Sequence, residues 1–155
     1  MRRPIIMLAT LAVLAACAEA DQPAGPIAPV TEAWVRLPAV DGRPGAAYFA
    51  LNGGAAGDTL IAVESPMVAT IELHESMTEN GAATMTPIRA VDAPAGGTIR
   101  FEPGGKHAML FGIDPSVTPG TRITLDFRFD SGRDVRLAVP ALAAGDPGPY
   151  AGQGG

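Results

Sequence analysis

The side chains best suited to holding a soft metal ion are few enough to inspect one by one. The chain has two histidines, His74 and His107, and beyond its first seven residues four methionines, Met67, Met77, Met85 and Met109. All six fall between residues 67 and 109. His107-Ala108-Met109 opens an apolar run, and the two-residue period of a strand puts the imidazole and the thioether on one face of it. His74 ends the run Thr70-Ile71-Glu72-Leu73, and Met85 lies in the next run beyond Asn80-Gly81, so a hairpin there brings the two together. Thioether sulfur is soft and neutral. It binds Mg²⁺ or Ca²⁺ poorly, and a mixed imidazole and thioether set suits Cu(I), whereas zinc takes thiolate, imidazole or carboxylate. Outside the cell such sulfurs are safe from disulfide formation, although they oxidise to sulfoxides. By residue type alone two readings stay open: metal ligands, or hydrogen-bonded histidines and core-filling methionines.

These residues need rigid elements to hold them. With 19 Gly and 15 Pro among 155 residues, the chain is too rich in turn formers for a helical bundle. Period-two or short apolar runs bounded by turn residues occupy 31–37, 46–52, 58–64, 69–74, 83–89, 97–102, 107–113, 121–129 and 133–139. The clearest alternates Ile123, Leu125, Phe127 and Phe129 with Arg122, Thr124, Asp126 and Arg128, which predicts a strand buried on one side. Asp130-Ser131-Gly132-Arg133 follows, and then Val135, Leu137 and Val139, a hairpin with matched apolar faces. Up to nine short strands predict an all-β Greek-key sandwich or barrel with one core. Trp34 is expected to anchor that core, and Gly104-Gly105 to make the turn that delivers His107.

The N-terminus reads as an address. Met1-Arg2-Arg3, an uncharged stretch from Pro4 to Ala16 and then Cys17 have the layout of an export signal too short to span a bilayer. Leu14-Ala15-Ala16-Cys17 resembles a bacterial lipobox, in which cleavage precedes a cysteine that takes a lipid; plain secretion, with cleavage after Ala18-Glu19-Ala20, is the other reading. The expected organisation is a signal peptide at 1–16, a lipidated Cys17 with a flexible tether to 29, a domain at 30–140 and a flexible tail at 141–155. One cysteine excludes an internal disulfide framework. A net charge of −5, with no basic run outside the extreme N-terminus, argues against nucleic-acid binding and leaves the lipid as the one expected membrane contact.

The intervals carry more information than the residue types. His74, ten residues, Met85, twenty-one residues, His107, one residue and Met109 resembles the H-x10-M-x21-H-x-M signature of the periplasmic copper chaperones of the PCu(A)C type. The surroundings are similar as well: Leu73-His74-Glu75, Pro94-Ala95-Gly96-Gly97, Pro103-Gly104-Gly105, Met109-Leu110-Phe111-Gly112, and upstream Ala33-Trp34-Val35-Arg36 and Ala46-Ala47-Tyr48-Phe49. The likeness spans about Val30 to Pro140. It implies a cupredoxin-like β-sandwich in which His74, Met85, His107 and Met109 hold one Cu(I) near the surface. It also implies transfer to a copper-accepting protein, notably subunit II of cytochrome c oxidase with its Cu(A) centre, and supply by ions or another copper chaperone. Unlike some members, this chain has a C-terminal tail without His or Met, so no dedicated Cu(II) site is expected.

Other residues take lesser roles. Met77 is a candidate accessory ligand three residues past His74, Met67 is expected to pack, and Glu72 and Glu75 flank His74 either as orienting carboxylates or as solvated ones. A blue-copper electron carrier needs a thiolate in its site, and no cysteine follows position 17. No Ser/His/Asp or Cys/His set suggests an enzyme. The alternative to a copper carrier is a metal-free sandwich tethered to the envelope as a binding or structural module.

Overall fold

The computed structural model describes residues 29–79 and 81–150. The expected signal peptide, Cys17 and all but the last residue of the tether lie outside the described residues. Ten strands form: β1 (Val30–Arg36), β2 (Gly45–Asn52), β3 (Asp58–Glu64), β4 (Val68–Glu79), β5 (Ala82–Pro87), β6 (Val91–Ala93), β7 (Thr98–Phe101), β8 (Lys106–Ile113), β9 (Arg122–Phe129) and β10 (Asp134–Leu142). Among the described residues every regular element is a strand.

Alternation in the sequence becomes burial in the fold. Ile123, Leu125 and Phe127 of β9 are fully buried and Phe129 nearly so, while Arg122 and Arg128 are exposed. Burying each such side chain contributes about 1.5–3 kcal/mol. The turn after β9 closes with the Phe129 N–H donating to Arg133 O at 3.0 Å, and β9 then pairs with β10 from Arg128↔Asp134 to Arg122↔Pro140.

The strands make one sheet in the order β5-β4-β8-β7-β2-β1-β10-β9-β3-β6, with β8 also pairing β2. Its two halves join where β1 runs parallel to β10, Val35 opposite Ala141. The sheet curls there, so that the inner faces of the halves meet. Phe49 of β2 stacks on Phe101 of β7 at 4.2 Å and meets the edge of Phe127 of β9 at 4.9 Å. Since β2 and β9 are three places apart in the sheet, that second contact closes the sandwich. The expected all-β class holds.

Four details differ from the sequence expectation. A tenth strand, β6, pairs three residues with β3. β4 continues beyond residue 74 to Glu79 as the arm of a protruding hairpin. Trp34 is buried, but not in the core: it pairs with Tyr48 on the face opposite Val35 and Ala47. The domain also runs past 140, because β10 reaches Leu142 with Ala141 fully buried. Residues 143–150 then fold back instead of trailing as a tail. Ala143 and Asp146 exchange two hydrogen bonds of 3.1 Å, and Gly148 lies so close to the Trp34 indole that a Cβ there would come within 2.4 Å of Cζ2. The absent side chain lets backbone cover the ring.

Candidate metal centre

Pleating sorts the side chains of β4 by parity. Leu73 faces the core, so Glu72, His74 and Ser76 face outward. On one flank His74 stands opposite His107 and Glu72 opposite Met109 of β8; on the other, Ser76 stands opposite Met85 of β5. Cross-strand partners share a face, so His74, Met85, His107 and Met109 all project from the outer face of the β5–β4–β8 ribbon. Direct partners have Cβ atoms about 4.5–5.5 Å apart and diagonal neighbours about 7–8 Å apart. Met85 and Met109 are both diagonal to His74, and the two imidazole centroids are 6.0 Å apart.

Two turns fix this register. Before β8 the Gly105 N–H donates to Glu102 O at 3.0 Å around Pro103 and Gly104. Gly104 has φ +87°, the conformation that the third position of such a turn requires. The Gly105 carbonyl then accepts the Ser76 N–H at 3.1 Å and the His107 Nδ1–H at 3.0 Å, tying the turn to both strands. Between β4 and β5 the pairing closes at Glu79↔Ala82.

Each imidazole is held with one nitrogen spoken for. A carbonyl can only accept, so His107 carries its proton on Nδ1 and keeps the lone pair of Nε2. His74 Nε2–H donates to the Glu72 carboxylate at 3.0 Å, which leaves Nδ1 with the lone pair. That Nδ1 is buried and has no hydrogen-bond partner. Leaving it so costs about 1–3 kcal/mol, which a ligand on the nitrogen would offset. The rings are sheltered, His107 being 6% exposed, whereas Met85 is 55% exposed. Met85, His107 and Met109 line an open cavity of about 440 Å³, with Arg36, Pro44 and Tyr48 on its walls; His74 is not among its lining residues and stands opposite His107 across β4 and β8. Among the described residues no three His, Cys, Asp or Glu side chains gather into a metal-holding group, so any soft-metal site on this face depends on the methionine sulfurs.

The lesser candidates separate cleanly. Met77 lies in β4, opposite Thr84, and parity turns it to the other face, away from the four residues it was to assist. Met67 packs against the core. Glu75 also points to the far face, where it forms an ion pair with Lys106 at 2.5 Å, so Glu72 alone of the two carboxylates touches His74.

One residue of this face escaped the sequence reading as a site residue. Arg36 stands opposite Ala46, and Ala46 opposite Met109, so the row Arg36, Ala46, Met109, Glu72 crosses four strands on the same side. The guanidinium carbon lies 5.1 Å from the Trp34 ring centroid and 5.4 Å from that of Tyr48. Burial pushes the Tyr48 phenol up, against a smaller downward pull from the Arg36 charge. The available signal was alternation: Trp34 with Arg36 and Ala46 with Tyr48 are each two apart, which marks a second, outward-facing row on β1 and β2.

Comparison with known proteins places this architecture. Residues 29–141 match the family described as "Putative lipoprotein LpqE-like". The "Putative lipoprotein Lxx21020" of Leifsonia xyli subsp. xyli (strain CTCB07) is 34% identical over 112 residues, 72% of this chain and 67% of that protein. Among solved structures, the copper-bound PCuAC domain from PmoF2 superposes with a TM-score of 0.61 at 19% identity, covering 74% of this chain and 91% of that one. The solution structure of CuI-DR1885 from Deinococcus radiodurans gives 0.55 at 24% identity, covering 74% and 79%. At those identities the solved structures speak for the fold, which is the cupredoxin-like β-sandwich of PCuAC domains. The family match covers nearly the whole described sandwich, β4, β5 and β8 included, and the chain belongs to the LpqE-like family.

Proposed function

We propose that this protein is an extracytoplasmic copper chaperone that holds one Cu(I) through His74, Met85, His107 and Met109 and passes it on by ligand exchange. The observation that carries the reading is the shared outward face of the four side chains, set by the pairings His74↔His107, Glu72↔Met109 and Ser76↔Met85. The donor chemistry fits: two imidazoles with a lone pair each and two thioethers form a neutral, soft set suited to Cu(I). The likeness to a copper-bound PCuAC domain supports copper, and that to CuI-DR1885 supports Cu(I).

Transfer follows from unequal exposure. Met85, the most open donor, exchanges first for a donor of the docked acceptor, and the buried His107 leaves last. The cavity of about 440 Å³ far exceeds a bare ion and admits an incoming side chain. The acceptor we favour is the Cu(A) site of cytochrome c oxidase subunit II, with copper arriving from another chaperone or from free ions. No step needs catalysis. Lipid attachment at Cys17 places the carrier at the cell envelope, consistent with a relative named as a lipoprotein. Anaerobic titration with Cu(I) against a colorimetric chelator tests the proposal: one tight equivalent in the wild type, lost or much weakened in His107→Ala and Met109→Ala. Absence of uptake, or equal binding by both variants, overturns it.

A further inference from the structure

We infer that Arg36 is a specificity residue for the oxidation state of the bound copper, a fixed cation in the wall of the metal cavity that disfavours Cu(II) more than Cu(I). The inference rests on the copper reading above and extends it to a residue outside the donor set.

Among the described residues, four of the other five strand-borne cations have a counter-ion, and Arg36 does not. Arg100, Lys106, Arg128 and Arg136 each form an ion pair with a carboxylate, with Glu32, Glu75, Glu64 and Asp126 respectively. Among the described residues Arg36 has none, and its Nε is buried without a hydrogen-bond partner. The rings of Trp34 and Tyr48 hold the guanidinium in place, an attraction that stabilises a cation without neutralising it. The group cannot shed its proton. It lines the same cavity as Met85, His107 and Met109, with only the Ala46 methyl between it and Met109 in their row.

The donor set proposed for copper is neutral, so the ion's full charge faces the guanidinium. Repulsion scales with the ion's charge, and Cu(II) feels twice the energy that Cu(I) does. The backbones at Arg36 and Met109 are two strand spacings, about 10 Å, apart, which sets the scale of the charge-to-ion distance. With an effective dielectric constant between roughly 20 and 80, a unit charge at that range weakens binding of a univalent ion by about two- to fifteenfold, and of a divalent ion by the square of that factor. A residue that merely props up the fold would change both affinities by one common factor.

The test compares Cu(I) and Cu(II) affinities of the purified wild type, Arg36→Gln and Arg36→Lys, the first by anaerobic competition titration and the second by competition followed with electron paramagnetic resonance. Thermal melting monitors folding of each variant. The expected result is that Arg36→Gln tightens Cu(I) severalfold and Cu(II) by about the square of that factor, while Arg36→Lys, which keeps the charge and loses the planar stack, retains the wild-type ratio of the two affinities. Equal changes for both ions, or a lysine variant that behaves like the glutamine one, overturn the inference while leaving the copper carrier intact. A wild type that takes up no copper overturns both.

Discussion

At the scale of single residues, the two imidazoles are set in opposite tautomers by different acceptors, Glu72 for His74 and the Gly105 carbonyl for His107. Nitrogen-15 NMR of the metal-free protein is expected to show protonated Nε2 on His74 and protonated Nδ1 on His107. Glu72→Ala should mix the tautomers of His74 alone and weaken Cu(I) binding by roughly 10- to 100-fold, the usual effect of removing a partner that orients a ligand. Unchanged tautomers in that variant would contradict the assignment. Because protons compete with copper for the imidazole lone pairs, affinity for Cu(I) should also fall on acidification; equal titrations at about pH 7 and pH 5 would argue against two imidazole ligands. Spacing singled out the four proposed ligands, and strand parity and register turn them to one face. Parity likewise removes Met77, although nearness in sequence had suggested it. Arg36 was not legible in this way, because its relation to Met109 runs through β2 and depends on a register that no local pattern states.

At the scale of elements, β9 was the plainest strand in the sequence, and it forms the inner wall of the core. Phe127→Ala removes a fully buried ring that touches Phe49 across the sandwich, and should cost about 3–5 kcal/mol in chemical denaturation; a loss below about 1 kcal/mol would contradict that packing. On the outer face of the β9–β10 hairpin, Arg136 donates to both Asp126 oxygens, at 2.5 and 3.0 Å. That guanidinium holds the Asp126 carboxyl below the usual carboxylate range. The pair therefore stabilises the fold above the ordinary aspartate value near ~3.9 and stops doing so as the pH falls through the lowered folded value. Asp126→Asn should cost less than about 1 kcal/mol at neutral pH, as exposed pairs do. The difference from wild type should vanish in urea melts at about pH 2, and a difference that grows on acidification would reverse the sign. The elements misread were those without a hydrophobic period. Three residues are too few to show one in β6, and the outer half of β4 extends past the core, so burial no longer selects its side chains.

At the scale of the whole molecule, burial was legible but its location was not. Trp34 was expected inside because large apolar rings are buried, and it is; what buries it is the chain's own segment around Gly148, more than a hundred residues away. Such a contact leaves no local mark beyond a glycine. The expected export signal and Cys17 set a further prediction. Residues 17–29 reach at most about 45 Å when extended, so a lipid on Cys17 would hold Val30, where the sandwich begins, within that distance of the membrane surface. Cys17→Ser should move the protein from the membrane fraction to the soluble one without altering copper uptake by the domain, and unchanged fractionation would contradict lipid anchoring. The central claim, a neutral two-imidazole, two-thioether Cu(I) site on the β5–β4–β8 face, is tested most directly by X-ray absorption of the chain loaded with one equivalent of Cu(I). A copper edge of Cu(I) type with two sulfur and two nitrogen scatterers is expected, one sulfur being lost in Met85→Ala; a first shell of nitrogen and oxygen alone would contradict it.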